Sequence, residues 1–371
     1  MYMPVPVFSE TDAVLKHSKK IAGFGKKALI ITGKSSAKIN GSLDDIRNVL
    51  NGEGIDFIIF NDIEENPSVE TVMKAKAIGL SNNVDFVIGI GGGSPLDAAK
   101  AAAFMLAHPK DSAELLYRTS DDTALPLVLI PTTCGTGSEV TPISVLTRHE
   151  FRTKKSISHK IFADIALIDG KYLCSAPVNV LRNTALDALT HLIESCINIK
   201  TDDFSRMFVE QGLKLWSKNK DVLETGNASD EQLQEMMNAS AMAGMAIAQN
   251  GTGIPHGLSY SLTYKLHVPH GRAVGYFTAG YINEAMSFPS SENSCGRYIL
   301  DTIGFGSIYE FAEWYKKLYG AFQVDDEILS EAVNELWSNK PKLHTAPFNI
   351  SYESLRRIAF FTKDVSGTLS V

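Results

Sequence analysis

Cysteine is scarce. The chain has four, Cys134, Cys174, Cys196 and Cys295, with no CxxC pair among its 371 residues. This spacing excludes a disulfide framework and a thiolate zinc finger, and it fits reduced thiols in a cytoplasmic protein. Long apolar runs are missing too. No stretch approaches the ~20 residues that cross a bilayer, and the opening MYMPVPVFSE has no signal-peptide layout, so neither membrane nor export is expected. There is also no basic patch. The 35 Lys and Arg stand against 42 Asp and Glu, for a formal net charge of -7, and the nearest charge run, FRTKK at 151–155, is short. Nucleic acid is therefore not an expected partner.

What is present is apolar and regularly punctuated. Hydrophobic residues make up 44% and charged residues 21%, enough for a large core and against disorder. The length suggests about two domains. In the first half, KALIIT (27–32), IDFIIF (55–60), VDFVIGI (84–90) and LPLVLI (125–130) read as strands, and the pattern changes after IALID (165–169). Helix-like segments at 42–51, 68–80 and 95–107 lie between the four strands. Short, wholly apolar strands separated by amphipathic helices predict an α/β fold, a parallel sheet with helices on both faces. From Asn179 onward nearly every segment has helical periodicity. The expected organisation is a dinucleotide-binding α/β domain over 1–178 and an all-helical domain over 179–371. In NASAMAGMAIAQ (238–249) the small residues recur at helical spacing, which would let a neighbouring helix pack closely.

Two loops stand out. GGGSPLDAAK (91–100) follows a strand and opens a helix. Glycine lets a ligand approach the backbone closely. Ser94 reads as the N-cap, Pro95 suits the first turn, and Asp97 falls where a carboxylate closes a capping box. The N–H groups of Gly92, Gly93 and Ser94 would then face outward at the positive end of the helix, a seat for pyrophosphate. A tight turn without ligand is the other reading, since the stretch is neither GxGxxG nor GxxxxGK[ST]. PTTCGTGSEVT (131–141) follows the next strand, and its hydroxyls, Thr132, Thr133 and Thr141 among them, could bond a nucleotide or simply be solvated.

In NTALDALTHLIES (183–195) Asp187 and His191 lie four apart on one helical face, as a pair of metal ligands or as an Asp–His surface pair. GIPHGLSYSLTYKLHVPHG (253–271) adds His256, His267 and His270. One carboxylate with imidazoles suits Fe2+ or Zn2+ and leaves a position open for a substrate oxygen.

GGGSPLDAAK, PTTCGTGSEVT, LDALTHLIES and PHGLSYSLTYKLHVPHG, in that order over most of the chain, resemble the iron-containing (group III) alcohol dehydrogenase family. The resemblance implies an active site in the cleft between the two domains and assigns the metal to Asp187, His191, His256 and His270, with His267 a loop residue. It implies that Gly92, Gly93 and Ser94 hold the cofactor pyrophosphate. Asn66, Asp97, Thr132, Thr133, Thr141 and Lys154 are read as further cofactor contacts. Many members carry a histidine four residues after the position of His256, thought to relay protons; here it is Tyr260. Ala185 stands where glycine is usual. NAD-preferring members have an aspartate after the first strand; here Gly33, Lys34 and Ser35 occupy that place, so NADP is expected over NAD.

The implied reaction is hydride transfer between the nicotinamide and a small primary alcohol or aldehyde, with iron (or zinc) as Lewis acid, in a homodimer or larger homo-oligomer. The alternatives are a glycerol-dehydrogenase-like polyol oxidoreductase and a dehydroquinate-synthase-like lyase. The lyase needs several cations around an acidic substrate, and 183–195 and 253–271 supply only Lys265 before Arg272.

Overall fold

The computed structural model describes residues 1–288, 293–320, 322 and 324–367. Its strands are β1 (Val7–Ser9), β2 (Lys27–Gly33), β3 (Asp56–Ile63), β4 (Phe86–Gly91), β5 (Leu127–Pro131), β6 (Val145–Arg148), β7 (Thr153–Ser156) and β8 (Ile165–Ile168). Six form a parallel sheet in the order β1-β8-β5-β4-β2-β3, while β6 and β7 pair as an antiparallel hairpin. β4, β5 and β8 are buried along their whole length and β2 at all but its ends, as expected of strands covered on both faces. β3 lies at an edge and exposes Asn61 and Asp62 near its end. The segments β1 and β7 carry no sequence signal, because β1 has three residues and every residue of β7 (TKKS) is exposed.

The chain leaves β2, forms β3 on one side and returns to form β4 on the other. The carboxyl ends of β2 and β4 therefore flank a topological switch point, where open α/β sheets bind ligands. The three predicted helices are Ser42–Gly52, Val69–Ser81 and Gly93–Ala107. Ser68 caps the second, its Oγ accepting the Thr71 N–H at 3.1 Å.

The chain divides into two compact units. One comprises Tyr2–Pro177 with Ala228–Gly244; the other comprises Val178–Asn227 and the residues from Met245 on. The second contains helices and no strand among the described residues. Residues 228–244 join the sheet unit for a local reason. The Gly170 N–H donates to Gln234 Oε1 at 2.8 Å, and Gly244 presses on Gly137, where a Cβ would stand 2.5 Å from the Gly137 carbonyl oxygen. At Gly244 the small-residue stripe thus accommodates the loop before Ser138. Among the described residues no helix is long and apolar enough to cross a membrane.

Candidate metal centre and cofactor loops

Three helices of the second unit supply the metal-binding candidates: Val178–Cys196, Ile254–Leu266 and His270–Ser287. The first presents Asp187 and His191 one turn apart. The second carries His256 in its first turn, after Gly253 and beside Pro255, and the third begins at His270. The first and third helices pack closely. A Cβ on Gly271 would lie 1.7 Å from the Asn183 carbonyl oxygen, and further along Thr190 and Thr278 share a buried hydroxyl hydrogen bond of 2.9 Å. His267, in left-handed conformation between the second and third helices (φ 51°), serves the turn.

The result is a convergence on one oxygen. Asp187 Oδ1 lies 3.5 Å from His256 Nε2, 3.7 Å from His270 Nε2 and 3.9 Å from His191 Nε2. The His191 and His256 rings stack at 4.6 Å, and the His270 ring meets His256 edge-on. Asp187, His191 and His256 are buried, whereas the His270 side chain is 39% exposed. Two ligands on a tetrahedral ion with ~2.1 Å bonds stand ~3.4 Å apart. The observed separations match that spacing and exceed those of good hydrogen bonds. Asp187 Oδ1 and His256 Nε2 indeed make no hydrogen bond among the described residues, although both are buried. Buried polar atoms without partners are costly, and a cation bound between them removes the cost. The donor set therefore fits a divalent transition metal.

Glu194 completes the centre and was not singled out from the sequence. It follows Asp187 by seven and His191 by three, the spacing of one helical face, so its signal was present in LDALTHLIES. Its side chain is fully buried. Oε1 accepts the His256 backbone N–H at 2.9 Å and Oε2 pairs with His256 Nδ1 at 2.7 Å. A carboxylate on Nδ1 leaves the Nε2 lone pair facing inward, the tautomer a metal requires. Burial raises the Glu194 pKa, but the charge and hydrogen bonds of His256, with the charge of Lys342, outweigh it and bring the carboxyl to about 2. Burial likewise opposes ionisation of Asp187, yet the three imidazoles hold it below the usual carboxylate range. Two ionised carboxylates thus stand among the three imidazoles.

The candidate cofactor residues gather in the sheet unit. Asn66, in left-handed conformation (φ 57°), donates its N–H to Ser94 Oγ at 3.1 Å and receives Lys154 Nζ on its side-chain oxygen at 2.9 Å. The loops after β3 and β4 and the β6–β7 hairpin thus meet at these three residues. Gly33 ends β2 and Lys34 and Ser35 follow it, across the switch point from Gly91–Ser94.

The helix start differs from the sequence expectation. The cap is Gly92, in extended conformation, and the helix begins at Gly93 with no side-chain cap. Ser94 does not cap because it lies inside the first turn. Asp97 closes no capping box. It accepts Ser138 Oγ at 2.6 Å and the Val145 N–H at 2.8 Å, which ties the second loop to the helix. Fully buried Lys100 reinforces that tie, donating to Ser138 Oγ at 2.7 Å, the Ile143 carbonyl at 2.7 Å and Thr141 Oγ1 at 3.3 Å. Burial pushes the Lys100 ammonium down to about 8 against the opposing charges of Asp97 and Glu139. Asp97 and Thr141 thus take part in tying the second loop to the helix. Gly92 and Gly93 remain bare against Thr133 and Thr136, where a Cβ would stand 3.1 and 2.8 Å from the nearest atoms. A further carboxylate, unforeseen from the sequence, stands beside Lys34: Asp62 Oδ1 lies 3.8 Å from Lys34 Nζ.

Comparison with known proteins agrees. Residues 4–170 match the family model described as iron-containing alcohol dehydrogenase, and residues 182–308 match that of the Fe-containing alcohol dehydrogenase family, C-terminal. The chain belongs to the iron-containing alcohol dehydrogenase family. It is 36% identical over 283 residues to long-chain-alcohol dehydrogenase 1 of Geobacillus thermodenitrificans, covering 74% of this chain and 70% of that one. It is 31% identical over 286 residues to the NADPH-dependent butanol dehydrogenase of Clostridium saccharobutylicum, again covering 74% and 70%. A solved iron-containing alcohol dehydrogenase from Thermotoga maritima superposes with a TM-score of 0.87 at 36% identity, covering 98% of each chain. The protein is thus a metal-dependent, nicotinamide-linked oxidoreductase acting between alcohols and aldehydes, the first of the readings drawn from its sequence.

Proposed function

We propose that this iron-containing alcohol dehydrogenase interconverts small primary alcohols and aldehydes with NADP(H), in the cytoplasm, as a homodimer or larger homo-oligomer. The observation that carries the reading is the convergence of three imidazole Nε2 atoms on Asp187 Oδ1. Asp187, His191, His256 and His270 would hold Fe2+, with Zn2+ the alternative for the same donors. When bound, the metal supplies a Lewis acid for the substrate oxygen. Glu194 fixes the His256 tautomer. The partly exposed His270 leaves its side of the centre open to substrate. The N–H groups of Gly93 and Ser94, at a helix start without a side-chain cap, receive the pyrophosphate. Tyr260, one turn beyond His256 and half exposed, offers a phenol where many relatives have a proton-relaying histidine. A family relative named 1-propanol dehydrogenase and the NADPH-dependent butanol dehydrogenase support the substrate size and the cofactor.

The cofactor preference rests on Lys34. Its pair with Asp62 is exposed, the side chains being 74% and 66% accessible. Such a pair is worth at most about 1 kcal/mol. A 2′-phosphate bears more charge than one carboxylate, so it outcompetes Asp62 for the ammonium. Lys34→Ala is expected to raise KM for NADPH about tenfold, the loss of one charged hydrogen bond, and to leave KM for NADH nearly unchanged. Steady-state assays of short aldehydes with both cofactors, after metal analysis, test the whole reading. Equal efficiency with NADH and NADPH refutes the preference; no turnover of any aldehyde by metal-loaded enzyme refutes the reaction.

A further inference from the structure

Glu194 poses a question of charge. Its buried carboxylate accepts both of its strong hydrogen bonds from one residue, His256, and a ligating imidazole is neutral. A buried carboxylate needs a compensating cation. The cations on the three ligand helices, Arg182, Lys265 and Arg272, bond elsewhere; Lys342 approaches from far along the chain.

We infer that Lys342 is a positioning residue of the metal centre, holding Glu194 and, through it, the His256 ligand. The inference rests on the metal-binding reading above. The Lys342 ammonium is anchored by Thr252, through Oγ1 at 2.6 Å and the carbonyl oxygen at 3.1 Å. Thr252 immediately precedes Gly253, which abuts Glu194: a Cβ there would lie 3.7 Å from Glu194 Cδ and 3.2 Å from Thr345 Oγ1. The same short turn reaches the other ligand helix. Thr345 Oγ1 donates to the Lys342 carbonyl at 2.8 Å, and the Thr345 carbonyl accepts the Ile199 N–H at 2.8 Å, three residues beyond the helix that bears Asp187 and His191.

Residues 342–345 thus clamp two points at once. One is the exit of the helix carrying Asp187, His191 and Glu194; the other is the entry of the helix carrying His256. Removing the ammonium leaves Thr252 untethered. The turn that presses on Glu194 can then shift, and His256 loses the acceptor that fixes its ring.

The test uses full-length enzyme loaded with Zn2+ and mixed with excess chelator. Lys342→Met is expected to release the metal about 10–100-fold faster than wild type, the range for loss of a ligand's outer partner. Lys342→Arg, which keeps the charge, is expected to restore slow release. Thr252→Val keeps the ammonium and removes its hydroxyl anchor; it is expected to speed release about tenfold or less, and it serves should Lys342→Met not fold. NADPH affinity, measured by fluorescence titration, is expected to stay unchanged in all three. Metal release at the wild-type rate in Lys342→Met or, if that variant is unfolded, in Thr252→Val overturns the inference, as does equally fast release in Lys342→Arg. A wild-type enzyme that retains no stoichiometric divalent cation instead overturns the metal reading, and this inference with it.

Discussion

Asp187→Asn is expected to bind sub-stoichiometric metal and to lose about a thousandfold in kcat/KM, some 4 kcal/mol of transition-state stabilisation. The substitution keeps the side-chain volume and removes only the charge. That charge is what the three imidazoles face, at 3.5, 3.7 and 3.9 Å. An amide oxygen is a poor ligand for Fe2+ or Zn2+ in this donor set, and its N–H2 group would compete for the histidine lone pairs. One of the two carboxylates that attract the cation is lost as well. Fold stability in chelator is expected to fall, because the imidazoles lose the carboxylate they hold ionised. Elemental analysis and steady-state kinetics on the same preparation decide it. Wild-type metal content with wild-type turnover would remove Asp187 from the centre.

Gly271→Ala is expected to be the most damaging single methyl group in the helical unit. The added carbon would lie 1.7 Å from the Asn183 carbonyl oxygen, 2.7 Å from its carbon and 3.2 Å from Asp187 Cβ. Backbone cannot swing aside as a side chain can, so the helices Val178–Cys196 and His270–Ser287 must separate by more than an ångström. Overpacking of this kind costs about 3 kcal/mol or more. It also moves His270, the adjacent residue, away from Asp187. Denaturant unfolding should show the loss of stability, and chelator competition the loss of metal affinity. Gly52→Ala is the control, since no atom lies within 4 Å of its added carbon. A Gly271→Ala enzyme as stable and metal-retentive as that control contradicts the close packing.

The legible part of this protein was the part written in local pattern. β2, β4 and β5 are short apolar runs between turn signals, and a run buried on both faces cannot look otherwise. The four proposed metal ligands lie in two compact stretches whose spacing announces one helical face and one turn. The illegible part depends on what approaches from elsewhere. Asp97 reads as a capping carboxylate from its position three after Ser94, but Ser138 and the Val145 N–H come within reach and claim it. Asp62 sits beside Lys34 only because β3 pairs with β2. Glu194 was readable, being on the face of Asp187 and His191, and was overlooked because glutamate on a helix is usually solvated. Lys342 gives no local sign at all, since its partner Thr252 is ninety residues away.

The three-helix origin of the ligands has one further consequence. An unfolded chain offers no preformed nest for the ion, so every kcal/mol of ion affinity is also resistance to unfolding of the helical unit. Heat tolerance and protease survival therefore follow iron or zinc supply. A cell short of that nutrient would lose the enzyme by turnover as well as by idleness.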